Sequence, residues 1–179
     1  MNCTAVDIAY SPNDLYRLKR EGKKAIMLGI ENGYAIGKDL SRVAHFRKRG
    51  VVYMTLCHNG NNDICGSARY NEENLGVTPF GEQVIQEMNR LGMMVDLSHS
   101  GERTFYETLD ISSQPVVCSH SSSRALCDHP RNLTDEQLRA IARKGGVVQV
   151  CLYSGFLRKE RPAHILDAIE HLNHMVNVM

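Results

Sequence analysis

Four residues that ligate metals well each stand directly behind a short apolar run. Glu31 follows AIMLGI, His58 follows VVYMTLC, His99 follows MMVDLS and His120 follows PVVCS. A neutral imidazole is among the commonest zinc ligands, and a carboxylate can bridge two ions. Two histidines and one glutamate fill three positions of a tetrahedral ion and leave the fourth for water, which is the catalytic zinc arrangement. A lone histidine at a strand end is more often a hydrogen-bonded structural residue. Two of them on nearby strands, with a carboxylate on a third, make Glu31, His99 and His120 the candidate metal ligands. Histidine and carboxylate ligands suit cobalt and manganese as well as zinc.

His58 opens a polar loop and is either a further ligand or a donor to charge that develops on a substrate. The loop behind it is built to cover a pocket, which favours the donor. Arg131, in the stretch HPRN, can hold a substrate carboxylate bidentately or form a surface ion pair. His171 and His174 have HxxH spacing on the last helical segment and read as solvated. No HxD pair, nucleophile elbow, phosphate loop or dinucleotide fingerprint occurs in the chain.

The elements that must position these residues alternate along the chain. Strands are expected at 25–30, 51–57, 93–97, 115–118 and 147–153. Between them lie helical patterns at 38–49, from Thr78-Pro79 to Gly92, over 101–111, and from the Thr134/Gln137 capping box to Gly145-Gly146. A helix over 13–20 precedes the first strand, with a Ser11-Pro12 start, and another runs from 163 to the end. The Asn- and Gly-rich stretch 59–76 is long for a connection, and long loops are often functional.

Strand-to-strand connections that each carry a helix predict a parallel sheet. The polar strand ends recur at about the 30-residue spacing of one βα unit. Polar groups at the carboxyl ends of successive parallel strands are the arrangement of a (β/α)8 TIM-barrel hydrolase. Such a barrel normally takes about 250 residues. The expectation for these 179 residues is therefore a single partial barrel domain, residues 1–179, with about five βα units. As a closed barrel it is incomplete, and its open edges invite cover by a homo-oligomer.

The bulk numbers narrow the partners. A hydrophobic fraction of 42%, a charged fraction of 23% and a net charge of +1 describe a globular protein without a field for nucleic acid. No apolar run approaches the roughly 20 residues of a membrane-spanning helix. The first residues do not form a signal peptide, which favours the cytoplasm for the chain as given, although a longer parent could be exported. Six scattered cysteines without a CxxC pair read as reduced, mostly buried thiols.

The blocks GIENG, TLCHNGNND, GVTPFGEQVIQEMNRLGMMVDLSHS, PVVCSHSSSRALCDHPRNLTDE and GGVVQV resemble the membrane dipeptidase family, the renal dipeptidase-type metallopeptidases. The resemblance runs from about residue 13 to the end. It implies a (β/α)8 barrel, two zinc ions and hydrolysis of the peptide bond of dipeptides by metal-activated water. It implies that Glu31 is the bridging carboxylate and that His99 and His120 belong to one zinc site. It gives His58 contact with substrate and the tetrahedral intermediate, and Arg131 the substrate carboxylate. The family's His-x-Asp pair and last-strand aspartate have no match here, so at most one well-formed zinc site and weak or absent turnover are expected of this chain. Gly66, in ICGSAR, stands where the resemblance leads us to expect an aspartate. Two other readings are a non-catalytic binding or assembly fragment, and a metal-dependent barrel amidohydrolase with another substrate.

Overall fold

The structure, a computed structural model, describes residues 5–160 and 162–179; Cys3 lies outside the described residues. In chain order the elements are β1 (Val6–Ile8), α1 (Pro12–Arg20), β2 (Lys24–Ile26), β3 (Leu28–Glu31), a 3-10 turn (Gly33–Ile36), α2 (Ser41–Lys48), β4 (Val51–Thr55), α3 (Pro79–Leu91), β5 (Met94–Asp96), α4 (Glu102–Ile111), β6 (Val117–Cys118), α5 (Asp135–Arg143), β7 (Val147–Val148), α6 (Ser154–Leu157) and α7 (Ile165–Val178). Strands β3 to β7 form one five-stranded sheet in sequence order, and every pair in it is parallel. Helices α2, α3, α4 and α5 are the four connections, so the sheet is a run of βα units, as a sector of a (β/α) barrel would be.

The helix ends follow the local chemistry. The Thr78 hydroxyl accepts from Gly81 N at 2.9 Å, Pro79 opens α3, and Gly92 closes it in a left-handed turn at φ 65°. Thr134 and Gln137 satisfy each other's backbone amides at the start of α5, at 3.2 and 2.9 Å. Behind the sheet the helices bury Ile85, Met88, Phe105, Leu138 and Ile141 against Met54, Leu56 and Leu97. Each such side chain contributes about 1.5–3 kcal/mol through removal from water.

Three expectations change. The run 25–30 is two strands, not one: it breaks at Met27, β2 pairs with the unanticipated β1, and β3 pairs with β4. The run 147–153 is regular only over Val147–Val148, because β7 lies at the edge of the sheet and pairs on one side, with β6. His171 is not solvated. It is 1% exposed, its Nδ1 accepts from Ser123 N at 3.0 Å, and its Nε2 faces Leu157 O at 3.2 Å. His174 is partly buried, with Nε2 2.8 Å from Asp135 Oδ1. Helix α7 is thereby tied to the loop after β6, to α6 and to α5.

Among the described residues no helix is long and apolar enough to cross a membrane. Cys57, Cys65, Cys118 and Cys127 are buried free thiols, and Cys151 is a partly buried one.

Candidate metal centre

All four candidate residues lie at or just beyond the carboxyl ends of consecutive strands, and the fold brings their side chains to one point. Glu31 is the last residue of β3. The chain turns immediately after it, at Asn32 (φ 84°), whose Oδ1 accepts from Tyr34 N and from Asn62 Nδ2, each at 3.1 Å. Gly33 follows because a Cβ there would meet Leu56 O at 2.9 Å and Ile64 at 2.5 Å.

His58 lies three residues past β4, and its carbonyl accepts from the Ser67 hydroxyl at 2.6 Å. Its ring stacks on His99 with centroids 4.2 Å apart. His99, three residues past β5, adopts a left-handed backbone at φ 73°. That turn ends the strand alternation and swings the imidazole toward Glu31, while its Nδ1 lies 3.2 Å from Asn59 Oδ1. His120, two residues past β6, is held by Ser98 Oγ at its backbone N (2.9 Å) and by Ser119 Oγ at Nδ1 (2.7 Å).

The Nε2 atoms of His99 and His120 are each 3.2 Å from Glu31 Oε1 and 3.0 Å from one another. His58 Nε2 is 3.7 Å from the same oxygen, and ligand atoms of Glu31, His58 and His99 all lie within 4.8 Å. Zinc bonds of about 2.0–2.2 Å in a tetrahedron separate neighbouring ligand atoms by roughly 3.3 Å. The observed spacings are of that size, so the donor set fits one small divalent ion. Burial, then the positive charge of Arg131, holds His99 neutral by pushing its pKa down to about 2. His120 is lowered for the same two reasons. Neutral imidazole is the metal-binding form.

Arg131 lies beside this cluster and is only 3% exposed. Its guanidinium sits 5.4 Å from the Phe156 ring centroid, one Nη donates weakly to His120 O at 3.4 Å, and Nε has no partner. Among the described residues no carboxylate pairs with it. Burial lowers its pKa, and at 3% exposure it is not a surface residue in an ion pair. A buried cation without a counter-charge is costly unless a ligand supplies one.

Several contributors to the site are not visible as motifs. Tyr53, Thr55 and Ser119 line a cleft of about 240 Å³ together with Glu31 and His120. Gly29 accommodates the Tyr53 ring, which a Cβ would meet at 2.0 Å. The loop 59–76 packs back on the strand ends: Ser67 N donates to Asn61 Oδ1, and Ala68 N to His99 O at 2.7 Å. It buttresses His58 and His99. Gly66 has no room for the expected aspartate, since a Cβ would lie 1.8 Å from Leu75 O.

The sequence model of the membrane dipeptidase family (peptidase family M19) matches residues 1–179. A dipeptidase of Schizosaccharomyces pombe is 41% identical over 165 residues, covering 89% of this chain and 40% of its own length. Dipeptidase 3 of Mus musculus is 35% identical over 167 residues, 90% of this chain and 34% of its own. Among solved structures, an amidohydrolase from Pseudomonas aeruginosa superposes with a TM-score of 0.91 at 34% identity, covering 99% of this chain and 54% of that one. A metallo peptidase from Rhodobacter sphaeroides, liganded with a phosphinate mimic of L-Ala-D-Ala, gives 0.86 at 27% identity, covering 97% and 52%. The chain thus spans less than half of these curated relatives and about half of these solved structures.

Proposed function

Because this chain belongs to the membrane dipeptidase family of metallopeptidases, we propose that its strand-end cluster is the metal centre of a zinc-dependent dipeptidase. The observation that carries the reading is the convergence of the His99 and His120 Nε2 atoms on Glu31 Oε1, each at 3.2 Å. Glu31, His99 and His120 are the proposed ligands. A divalent ion there would supply Lewis acidity toward a peptide carbonyl and acidify water.

The chain's own groups do the rest. Arg131 binds the terminal carboxylate of a dipeptide, which gives its buried guanidinium the partner it lacks. His58, on the open side of the cluster, donates to the carbonyl oxygen as charge develops there. The same ring is near enough to ligate, but its Nε2 stands 0.5 Å farther from Glu31 than the others, 3.7 against 3.2 Å. The family's second zinc site and general base have no match in these residues, so the 179-residue chain alone turns over weakly or not at all, while a chain that also carried those groups would hydrolyse dipeptides.

The test is metal content after dialysis against trace zinc, by elemental analysis. About one zinc per chain, lost in His99→Ala and in His120→Ala, is expected; no bound zinc in the unmutated chain overturns the proposal. A second reading, hydrolysis of a non-peptide amide, draws on the likeness to a structure described as an amidohydrolase. A panel of dipeptides and simple amides, presented to a chain that carries the remaining family groups, separates the two. The open edges of the sheet, at β3 and β7, are where a second copy would associate, and size-exclusion chromatography reads that directly.

A further inference from the structure

Asp96 is fully buried at the end of β5 and makes no hydrogen bond to the candidate ligands themselves. Its carboxylate accepts four hydrogen bonds. Oδ1 takes Ser98 N at 3.0 Å and Ser119 N at 2.9 Å; Oδ2 takes the Thr55 hydroxyl at 2.6 Å and the Ser119 hydroxyl at 2.5 Å. One side chain therefore ties the ends of β4, β5 and β6 together.

Ser119 also fixes where the His120 ring carries its proton. A serine hydroxyl carries one proton, and here Asp96 Oδ2 receives it. Toward His120 Nδ1, 2.7 Å away, the Ser119 oxygen then presents only lone pairs, so Nδ1 carries the ring proton. A neutral imidazole has a single N–H. His120 Nε2 is thus a bare lone pair aimed at Glu31 Oε1. Without that constraint the opposite tautomer would be preferred, because an Nε2–H at 3.2 Å from a carboxylate oxygen makes a charge-assisted hydrogen bond. That tautomer cannot ligate a metal through Nε2.

We propose that Asp96 is a positioning residue that acts through the Ser119 hydroxyl to set the tautomer of His120 and so to keep its Nε2 free for a metal ion. The proposal rests on the metal-centre reading for its purpose, but the tautomer itself is a property of the metal-free chain. Outer partners of this kind typically change metal affinity 10- to 100-fold when removed.

The test uses the metal-free 179-residue chain with ¹⁵N-labelled histidine, read by long-range ¹H–¹⁵N NMR, followed by zinc titration. In the unmutated chain His120 should be protonated at Nδ1. In Ser119→Ala the proton should move to Nε2, facing Glu31, and zinc affinity should fall 10- to 100-fold. Ser119→Thr, which keeps the hydroxyl, should restore both. His99, whose Nδ1 faces Asn59 rather than Ser119, should keep its tautomer throughout. Thr55→Val, which removes a different donor to Asp96, should lower stability and leave His120 protonated at Nδ1. The proposal is overturned if unmutated His120 carries its proton on Nε2, or if Ser119→Ala leaves both tautomer and affinity unchanged. If the tautomer follows Ser119 while no variant binds zinc, the relay stands and the metal-centre reading falls.

Discussion

His99 and His120 present the same ring atom to each other: their Nε2 atoms are 3.0 Å apart, and Glu31 Oε1 is 3.2 Å from both. Three ligand-capable atoms at that spacing suit a shared divalent cation. Zinc should therefore stabilise the folded chain, by about 2.7 kcal/mol at a free concentration one hundred times Kd. Thermal unfolding with and without zinc measures this. In His99→Ala or His120→Ala the stabilisation by zinc should vanish.

Arg131 is buried without a carboxylate partner, so it costs stability in the absence of ligand. Arg131→Met should leave the melting temperature of the free chain unchanged or raise it. The same substitution should weaken binding of a phosphinate dipeptide mimic at least tenfold. A large loss of stability with binding intact would show that the guanidinium is a structural brace.

His171 is held neutral by burial, which depresses its pKa. The unfolded chain then binds the proton that the folded chain refuses, so stability is fully present above the unfolded pKa of about 6.5 and falls as pH drops below it. His171→Gln should make the slope of unfolding free energy between pH 7 and 5 shallower, by at most one proton, about 1.4 kcal/mol per pH unit. An unchanged slope in chemical denaturation would mean that this ring does not titrate on unfolding.

Gly66 faces Leu75 O so closely that any Cβ would force the backbone apart. Gly66→Ala and Gly66→Asp should each destabilise by about 1–3 kcal/mol through overpacking. Because residue 66 lies beside the contact from Ala68 N to His99 O, zinc affinity should fall as well. Denaturant unfolding and zinc titration of the same samples report both effects.

The succession of βα units was legible because apolar runs, glycine stops and capping residues recur with one period. Thr78-Pro79 and the Thr134/Gln137 box start helices where their local chemistry says they should. The convergence of Glu31, His58, His99 and His120 followed from their shared place behind strands. What stayed hidden depends on partners distant in sequence. The break at Met27 arises because β2 and β3 pair with different strands. His171 looked like a polar position on α7, yet the helix turns it inward to meet two backbone groups, Ser123 N and Leu157 O. Asp96 and Ser119 are 23 residues apart, and nothing in either neighbourhood announces that one carboxylate gathers four donors.

The left-handed backbone at His99 sets fold and function against each other at one position. A β-carbon at φ 73° costs about 1–3 kcal/mol, and glycine or asparagine would relieve that strain. Only histidine places an imidazole beside Glu31. In a lineage released from its chemistry, drift toward stability should replace residue 99 early, before the buried residues of the core. Under the proposed metal-centre reading, the identity of residue 99 in a homologous sequence should then report whether selection for that centre is in force.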